Sequence, residues 1–278
     1  MTFFHESKKR FRSGAVHSFV RVLTLNIHKG YTALNSRFML HELKESICAV
    51  GADLVFLQEV QGEHRGRAAR EDRWPDLAQY EFLADQVWKD FAYGKNAAYQ
   101  HGHHGNAILS HYPIVRSQQV DVSTNTIEQR GFLFCEVDVP SGGRVFGICV
   151  HLGLTAVARR KQLRRIREFV HAEVPDSAPL IIAGDTNDWS GLPTKEFAED
   201  LRLVDAYQHI RGRRARSFPS FAPVLSLDRI FVRGLGVVSA EVHSGGKWSD
   251  LSDHAALVAN LSLARREALS NPVKTERM

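Results

Sequence analysis

The feature that most constrains this chain is a series of short apolar runs, each of strand length and several of them apolar at consecutive positions. They include Val20–Leu25, Ala52–Leu57, Asn106–Ser110, Gly131–Val137, Val145–Val150, Pro179–Ala183, Asp228–Val232 and Ala255–Leu261. Unbroken apolarity over so few residues is the mark of strands covered on both faces. Helical periodicity occurs in two places. Phe38, Leu40, Leu43, Ile47 and Val50 recur at helical spacing before Gly51, and Leu163, Ile166, Phe169 and Val170 form a stripe between Thr155 and Pro175. The other side of the second stripe carries Arg159, Arg160, Lys161, Arg164, Arg165 and Arg167, which reads as a solvated basic face. Strands interleaved with few helices predict a layered α/β fold.

Composition narrows the class. At 44% hydrophobic and 24% charged positions the chain is too apolar for a disordered polypeptide and too poor in charge for a coiled coil. Its 278 residues have room for one large domain or two small ones. No Pro/Gly/Ser linker, repeat or low-complexity tract divides it, so one domain over residues 19–263 is expected, between a flexible basic N-terminus (1–18) and a flexible tail (264–278). A formal charge of +5 is a mild bias towards anionic partners. No apolar run approaches the about 20 residues that span a bilayer, so integral membrane association is not expected. The first residues lack the apolar core of a secretory signal, and Cys48, Cys135 and Cys149 lie in apolar segments without zinc or redox spacing. Buried thiols in a reducing cytoplasmic setting are the expectation.

The ends of the runs carry the chemistry. Val20–Leu25 closes on Asn26, Leu54–Leu57 on Gln58 and Glu59, Val145–Val150 on His151, and Leu180–Ala183 on Gly184, Asp185 and Asn187. Asp228 opens another run, and Ser252, Asp253 and His254 precede the last. One polar strand end is ordinary turn chemistry. Six of them, spread over most of the chain, point to a site at a sheet edge.

Leu23–Asn26, Leu57–Glu59, Gly105–Ser110, Gly184–Asn187, Leu227-Asp228-Arg229 and Ser252-Asp253-His254 resemble, in order, the motifs of the endonuclease/exonuclease/phosphatase superfamily. The resemblance covers about Val20 to Leu263. It implies a DNase I-like four-layer sandwich of two packed mixed β-sheets flanked by helices, and a Mg²⁺-dependent hydrolase of phosphate esters, with Mn²⁺ as a substitute. Mg²⁺ takes oxygen ligands and keeps several waters, so few protein ligands suffice. The matching positions imply Glu59 as its direct carboxylate ligand, Asn26 as a neutral amide ligand and Asp253 as a ligand to the metal or its water. They also imply Asp185 as the group that orients and deprotonates the attacking water, with Asn187 positioning water or phosphate. If the segment is extended there, both side chains point the same way. His254 and His151 are implied to hold the non-bridging oxygens, with Asp228 fixing the tautomer of His254 and favouring its charged form.

Further residues are weighed around this set. His151 is shared by branches resembling DNase I, neutral sphingomyelinases and deadenylases and is lacking in the abasic-site endonucleases. Tyr80–Trp88 and Asp90–Asn96 are similar to a bacterial branch, some of whose members are encoded beside cardiolipin-synthase-like enzymes. Arg130 matches a region where relatives place a phosphate-contacting arginine, though a plain salt bridge explains it equally, and His28 stands near the cleft rim. His101, His103 and His104 lie among glycines with no metal-ligand spacing, so a flexible loop beside the site is expected, with His104 touching substrate. Arg211, Arg213, Arg214 and Arg216 precede Phe218 and Phe221. Interleaved arginine and aromatic side chains grip phosphates or bases, and Arg216 is the candidate substrate contact. The leading expectation is a phosphodiesterase acting on an anionic partner, nucleic acid or a phospholipid headgroup, with no obligate protein partner. The alternatives are a phosphomonoesterase for a sugar or inositol phosphate and a catalytically silent anion-binding module.

Overall fold

The computed structural model describes residues 19–33, 35–140 and 143–263, so the expected N-terminal segment and C-terminal tail lie outside the described residues. The strands are β1 (Phe19–Asn26), β2 (Leu54–His64), β3 (Asp90–Tyr99), β4 (Gly102–Ser110), β5 (Ile114–Asp121), β6 (Gly131–Val139), β7 (Gly143–His151), β8 (Leu180–Asp185), β9 (Val204–Asp205), β10 (Asp228–Arg233), β11 (Gly236–His243) and β12 (Ala256–Ser262). The helices are α1 (Leu40–Val50), α2 (Arg65–Ala68), α3 (Gln79–Ala84), α4 (Ala156–Glu173), α5 (Leu192–Asp200) and α6 (Ala206–Arg211). Two six-stranded sheets result, ordered β11-β12-β1-β2-β4-β3 and β5-β6-β7-β8-β10-β9. Both are mixed: β1 runs parallel to β2 and β7 parallel to β8, while the other neighbours are antiparallel.

The consecutive apolar runs are explained by a core on each side of each sheet. Val20, Val22, Leu54 and Phe56 of the first sheet meet Cys135, Cys149, Ile181, Ala183 and Ile230 of the second. The residues between them turn outward: Leu23, Leu25, Val55 and Leu57 pack under α1 with Leu40, Leu43 and Ile47. Phe132, Phe134, Leu180 and Ile182 pack under α4 with Leu163, Ile166 and Val170. Each fully buried side chain of this kind contributes roughly 1.5–3 kcal/mol. The result is a helix–sheet–sheet–helix sandwich. α1 stops at Gly51, which takes the left-handed conformation (φ 65°) that favours glycine. α4 starts at Thr155, whose side chain accepts from the Ala158 amide.

Two local expectations are corrected. His103 and His104 are not in a loop but in β4, paired to β2 on one side and β3 on the other. Glycine is tolerated within this strand because a Cβ at Gly105 would collide with the Gly94 carbonyl of β3, so the close strand approach requires it. Arg159 does not belong to the solvated face of α4. It is 2% exposed, shares the stripe of Leu163, Ile166 and Val170, and donates to the carbonyls of Gly153 and Leu154.

Candidate active site

Strand parity decides which side chains reach the gap between the sheets. Continuing the inward columns Val22–Thr24, Cys149, Ile181–Ala183 and Ile230–Val232 by two residues brings Asn26, His151, Asp185 and Asp228 to the same face at the same end. Register aligns them: Asp185 of β8 lies opposite His151 of β7 and Asp228 of β10. The approach of β8 to β7 depends on Gly184 (φ 145°), where a Cβ would collide with the Val150 carbonyl oxygen. On the other sheet, Gln58 and Glu59 together face the single residue Asn106 across β2 and β4. This bulge, with Glu59 at φ 57°, re-aims the Glu59 side chain.

Asp185 Oδ2 is the hub. It lies 3.4 Å from His151 Nε2 and 3.8 Å from His254 Nε2, and it accepts from Asn26 Nδ2 at 3.3 Å. The same Asn26 amide donates to Glu59 Oε1 at 3.3 Å, so it joins the two sheets. His254 Nδ1 donates to Asp228 Oδ2 at 2.8 Å, and the Ser217 hydroxyl donates to that oxygen at 2.6 Å. Asp253 pairs with His28 Nδ1 at 3.3 Å, while Glu59 pairs with the Lys29 ammonium.

Burial and charge set the protonation states. Burial would pull the His254 imidazole down, but the Asp228 and Asp185 carboxylates outweigh it and raise it to about 10. Burial pushes the Asp185 carboxyl up to about 6 against the opposing pull of His254. His151 is driven far below its ordinary value by burial and by Arg130, and is uncharged at neutral pH. Burial would raise Glu59, but the neighbouring positive charge, at neutral pH that of the Lys29 ammonium hydrogen-bonded to it, holds the carboxyl well below the usual range.

The remaining candidates are distributed unevenly. His104, beside Lys29 and Glu59, is pushed down to about 4 chiefly by burial, and its Nδ1 is buried without a hydrogen-bond partner. Arg130 makes the plain salt bridge: it pairs with Glu128 at 3.1 Å and donates to the Leu152 carbonyl at 3.3 Å, and its charge helps to lower His151 and His104. Asn187 does not extend the strand beside Asp185. It is left-handed (φ 49°), its backbone N–H donates to Asp185 Oδ1 at 2.9 Å, and its side-chain amide donates to the Leu152 carbonyl. Arg216 is not brought to this cluster; it is exposed and lines a separate cavity of about 410 Å³ with Tyr207, Arg211, Arg213 and Glu241. The cause is local: neighbouring Ser217 turns inward to Asp228, and Arg216 faces the other way.

The sequence profile of the Endonuclease/Exonuclease/phosphatase family matches residues 23–254, from β1 to the histidine at the hub. The chain belongs to that family. Family members are phosphoric ester hydrolases. The Escherichia coli K12 protein YbhP, itself uncharacterised, is 45% identical over 244 residues, 87% of this chain and 96% of its own. An endonuclease/exonuclease/phosphatase of Beutenbergia cavernae has the same fold, with a TM-score of 0.70 at 22% identity over 88% of this chain and 72% of that one. So does the Bacteroides thetaiotaomicron mannosyl-6-phosphatase Bt3783 (TM-score 0.65, 15% identity, 87% and 99% of the two chains). A further match is D. rerio TDP2 complexed with a single-strand DNA product (TM-score 0.63, 17% identity, 88% and 99%).

Against the family's need for a divalent metal, the donor chemistry fits. Glu59 and Asp253 offer ionic oxygens suited to a hard cation, and Lys29 already places positive charge on Glu59. Asn26 turns its Nδ2 to Glu59 and its oxygen to the His28 backbone N–H, so it would join the set only with its amide turned over. Asp185, Asp228 and His254 also come within 4.8 Å of one another. Asp228 Oδ2 takes both His254 and Ser217 while Asp228 Oδ1 is buried without a hydrogen-bond partner, so the carboxylate–imidazole pairing fits acid–base work and one oxygen of the cluster is left unpaired.

Sequence reasoning missed Lys29, Ser217 and the pair Arg159–Asp188. Asp188 is buried, accepts from Ser190, Gly191 and Thr194, and stands 3.9 Å from Arg159. Through Arg159 the loop after His151 is tied to the loop after Asp185. A signal for Arg159 existed: it falls on the apolar stripe of its helix rather than opposite it.

Proposed function

We propose that this chain is a Mg²⁺-dependent phosphodiesterase, with Mn²⁺ as a substitute, that hydrolyses its ester by direct attack of water. The observation that carries the reading is one buried cluster in which Asp185 Oδ2 stands 3.4 Å from His151 Nε2 and 3.8 Å from His254 Nε2, with His254 anchored on Asp228. Burial pushes the Asp185 carboxyl up to about 6, and the two carboxylates raise His254 to about 10. At neutral pH Asp185 is a base and His254 a hydrogen-bond donor, the division that ester hydrolysis needs. Glu59, Asn26 and Asp253 would hold the metal, which when bound polarises a phosphoryl oxygen and stabilises charge on the leaving group.

The chain's own residues do the rest. Asp185 accepts the proton of the attacking water and is held in place by Asn26 and the Asn187 amide. His254, anchored through Nδ1 to Asp228, presents Nε2–H to a non-bridging oxygen as negative charge builds. His151 is uncharged, so it adds a neutral donor. Arg130 supplies fixed positive charge behind it, and His104 has a ring nitrogen without a protein partner. Among the relatives, TDP2 bound to a DNA product and a mannosyl-6-phosphatase show that this fold serves both a nucleic-acid ligand and a monoester. The mild positive charge of the chain suits either a nucleic acid or a phospholipid headgroup.

The test is hydrolysis of bis-p-nitrophenyl phosphate against the mono-ester, with Mg²⁺, Mn²⁺ or EDTA. Metal-dependent cleavage of the diester that Asp185→Asn reduces at least about 100-fold supports the reading. A clear preference for the monoester, or cleavage that persists in EDTA, overturns it.

A further inference from the structure

A cavity of about 770 Å³ lies outside the catalytic cluster. It is walled by α5, the stretch through β9 into α6, and the segment carrying Arg213 and Arg214, and its floor is the outer face of β10. Strand parity separates it from the site: Asp228 points into the gap between the sheets, and Arg229, the next residue, points out to this floor with Phe231. The volume is in the range of small-molecule sites.

Its lining is chemically specific. Lys195, Arg213, Arg214 and Arg229 outnumber Glu199 and Asp205. Lys195 is engaged with Glu199 at 3.7 Å, and Arg214 donates one bond to the Trp189 carbonyl. Arg213 makes no hydrogen bond or ion pair among the described residues and stays available. The floor carries an unusual pair. Arg229 is 2% exposed, and one terminal guanidinium nitrogen has no hydrogen-bond partner. Asp205 Oδ2, 3.5 Å from Arg229 Nε, also lacks a hydrogen bond. Buried donors and acceptors are normally satisfied. A spare donor beside a spare acceptor matches a hydroxyl, which accepts from one and donates to the other, whereas guanidinium groups at the rim match a phosphate. Leu203 and Phe231 add an apolar surface for a carbon skeleton.

We propose that this cavity is a binding site for a small hydroxylated phosphomonoester, of the glycerol phosphate or sugar phosphate kind, with the phosphate on Arg213 and Arg214 and a hydroxyl between Arg229 and Asp205. The proposal concerns binding and stands whether or not the catalytic reading holds.

The test is isothermal titration of the full chain in EDTA with glycerol 3-phosphate, inorganic phosphate and glycerol as separate probes. One saturable equivalent of glycerol 3-phosphate is expected, with inorganic phosphate weaker and glycerol weaker still. The double variant Arg213→Ala/Arg214→Ala, at surface positions whose removal leaves the core intact, weakens glycerol 3-phosphate at least about tenfold. His254→Ala leaves its affinity unchanged. Arg229→Lys, which keeps the charge but not the fork, removes the preference for glycerol 3-phosphate over inorganic phosphate. Loss of binding in His254→Ala with none in the double variant assigns the anion to the catalytic cleft and overturns the proposal. So does the absence of saturable binding, and equal affinity for glycerol 3-phosphate and inorganic phosphate removes the hydroxyl half of it.

Discussion

The Asp228 carboxylate holds His254 by a 2.8 Å hydrogen bond to Nδ1, which leaves Nε2 free to face Asp185 across 3.8 Å. One contact thereby fixes the tautomer, the ring orientation and the charge of the imidazole. In Asp228→Asn the charge that raises His254 is lost while the shape is kept. Turnover should fall about 100-fold or more, and the alkaline limb of the pH–rate profile should move to lower pH. An unchanged alkaline limb would count against His254 as the group that sets it.

The pH profile of wild-type turnover follows from the two raised groups. Activity should rise as pH increases through about 6, where Asp185 loses its proton, and fall through about 10, where His254 loses its own. Stability has its own dependence on His254. Its folded value exceeds the ordinary one, so its contribution is complete below about 6.5 and disappears as pH rises through about 10. Urea midpoints of wild type and His254→Gln, compared at pH 7 and at pH 10.5, should converge at the higher pH.

Metal dependence reads Glu59 and Lys29 in opposite directions. Glu59→Gln should raise the Mg²⁺ concentration for half-maximal activity at least about tenfold. Lys29→Ala should lower it, because a cation arriving at Glu59 no longer displaces an ammonium. Titrations of activity with Mg²⁺ decide this, and an unchanged requirement in Glu59→Gln would contradict the assignment of Glu59 as the metal's carboxylate.

Arg159→Met should destabilise the fold by about 3 kcal/mol, since the Gly153 and Leu154 carbonyls and the buried Asp188 lose their cationic partner. Denaturant unfolding measures the loss. Because Arg159 acts through the loops after His151 and Asp185, kcat should fall more than KM rises. A variant equally stable and equally active would remove any structural part for this arginine.

The strands and the hub were legible in the sequence because one periodicity governs both. The alternation that sends Ile181 and Ala183 inward also sends Asp185, so a polar residue closing an apolar run already states its face. Asn26 and Asp228 stood out in the sequence as polar ends of apolar runs, and their roles came from the positions they share with the family. What remained hidden depends on pairing across the chain. Ser217 reads as one more loop serine until Asp228 is seen beside it, and Arg159 reads as one more helix charge until the carbonyls after His151 are in place. The histidines of β4 were misjudged because glycine neighbours suggest a loop, whereas here they allow strands to approach closely.

The first described strand, β1, is flanked by β2 and by the last, β12. Asn26 ends the former and His254 stands just ahead of the latter. A chain still emerging from the ribosome therefore lacks both the neighbour that closes its first sheet and the imidazole that faces Asp185. On the proposed reading, the cluster is complete only once the stretch through His254 and β12 has been made, so a partly synthesised copy would lack hydrolytic activity.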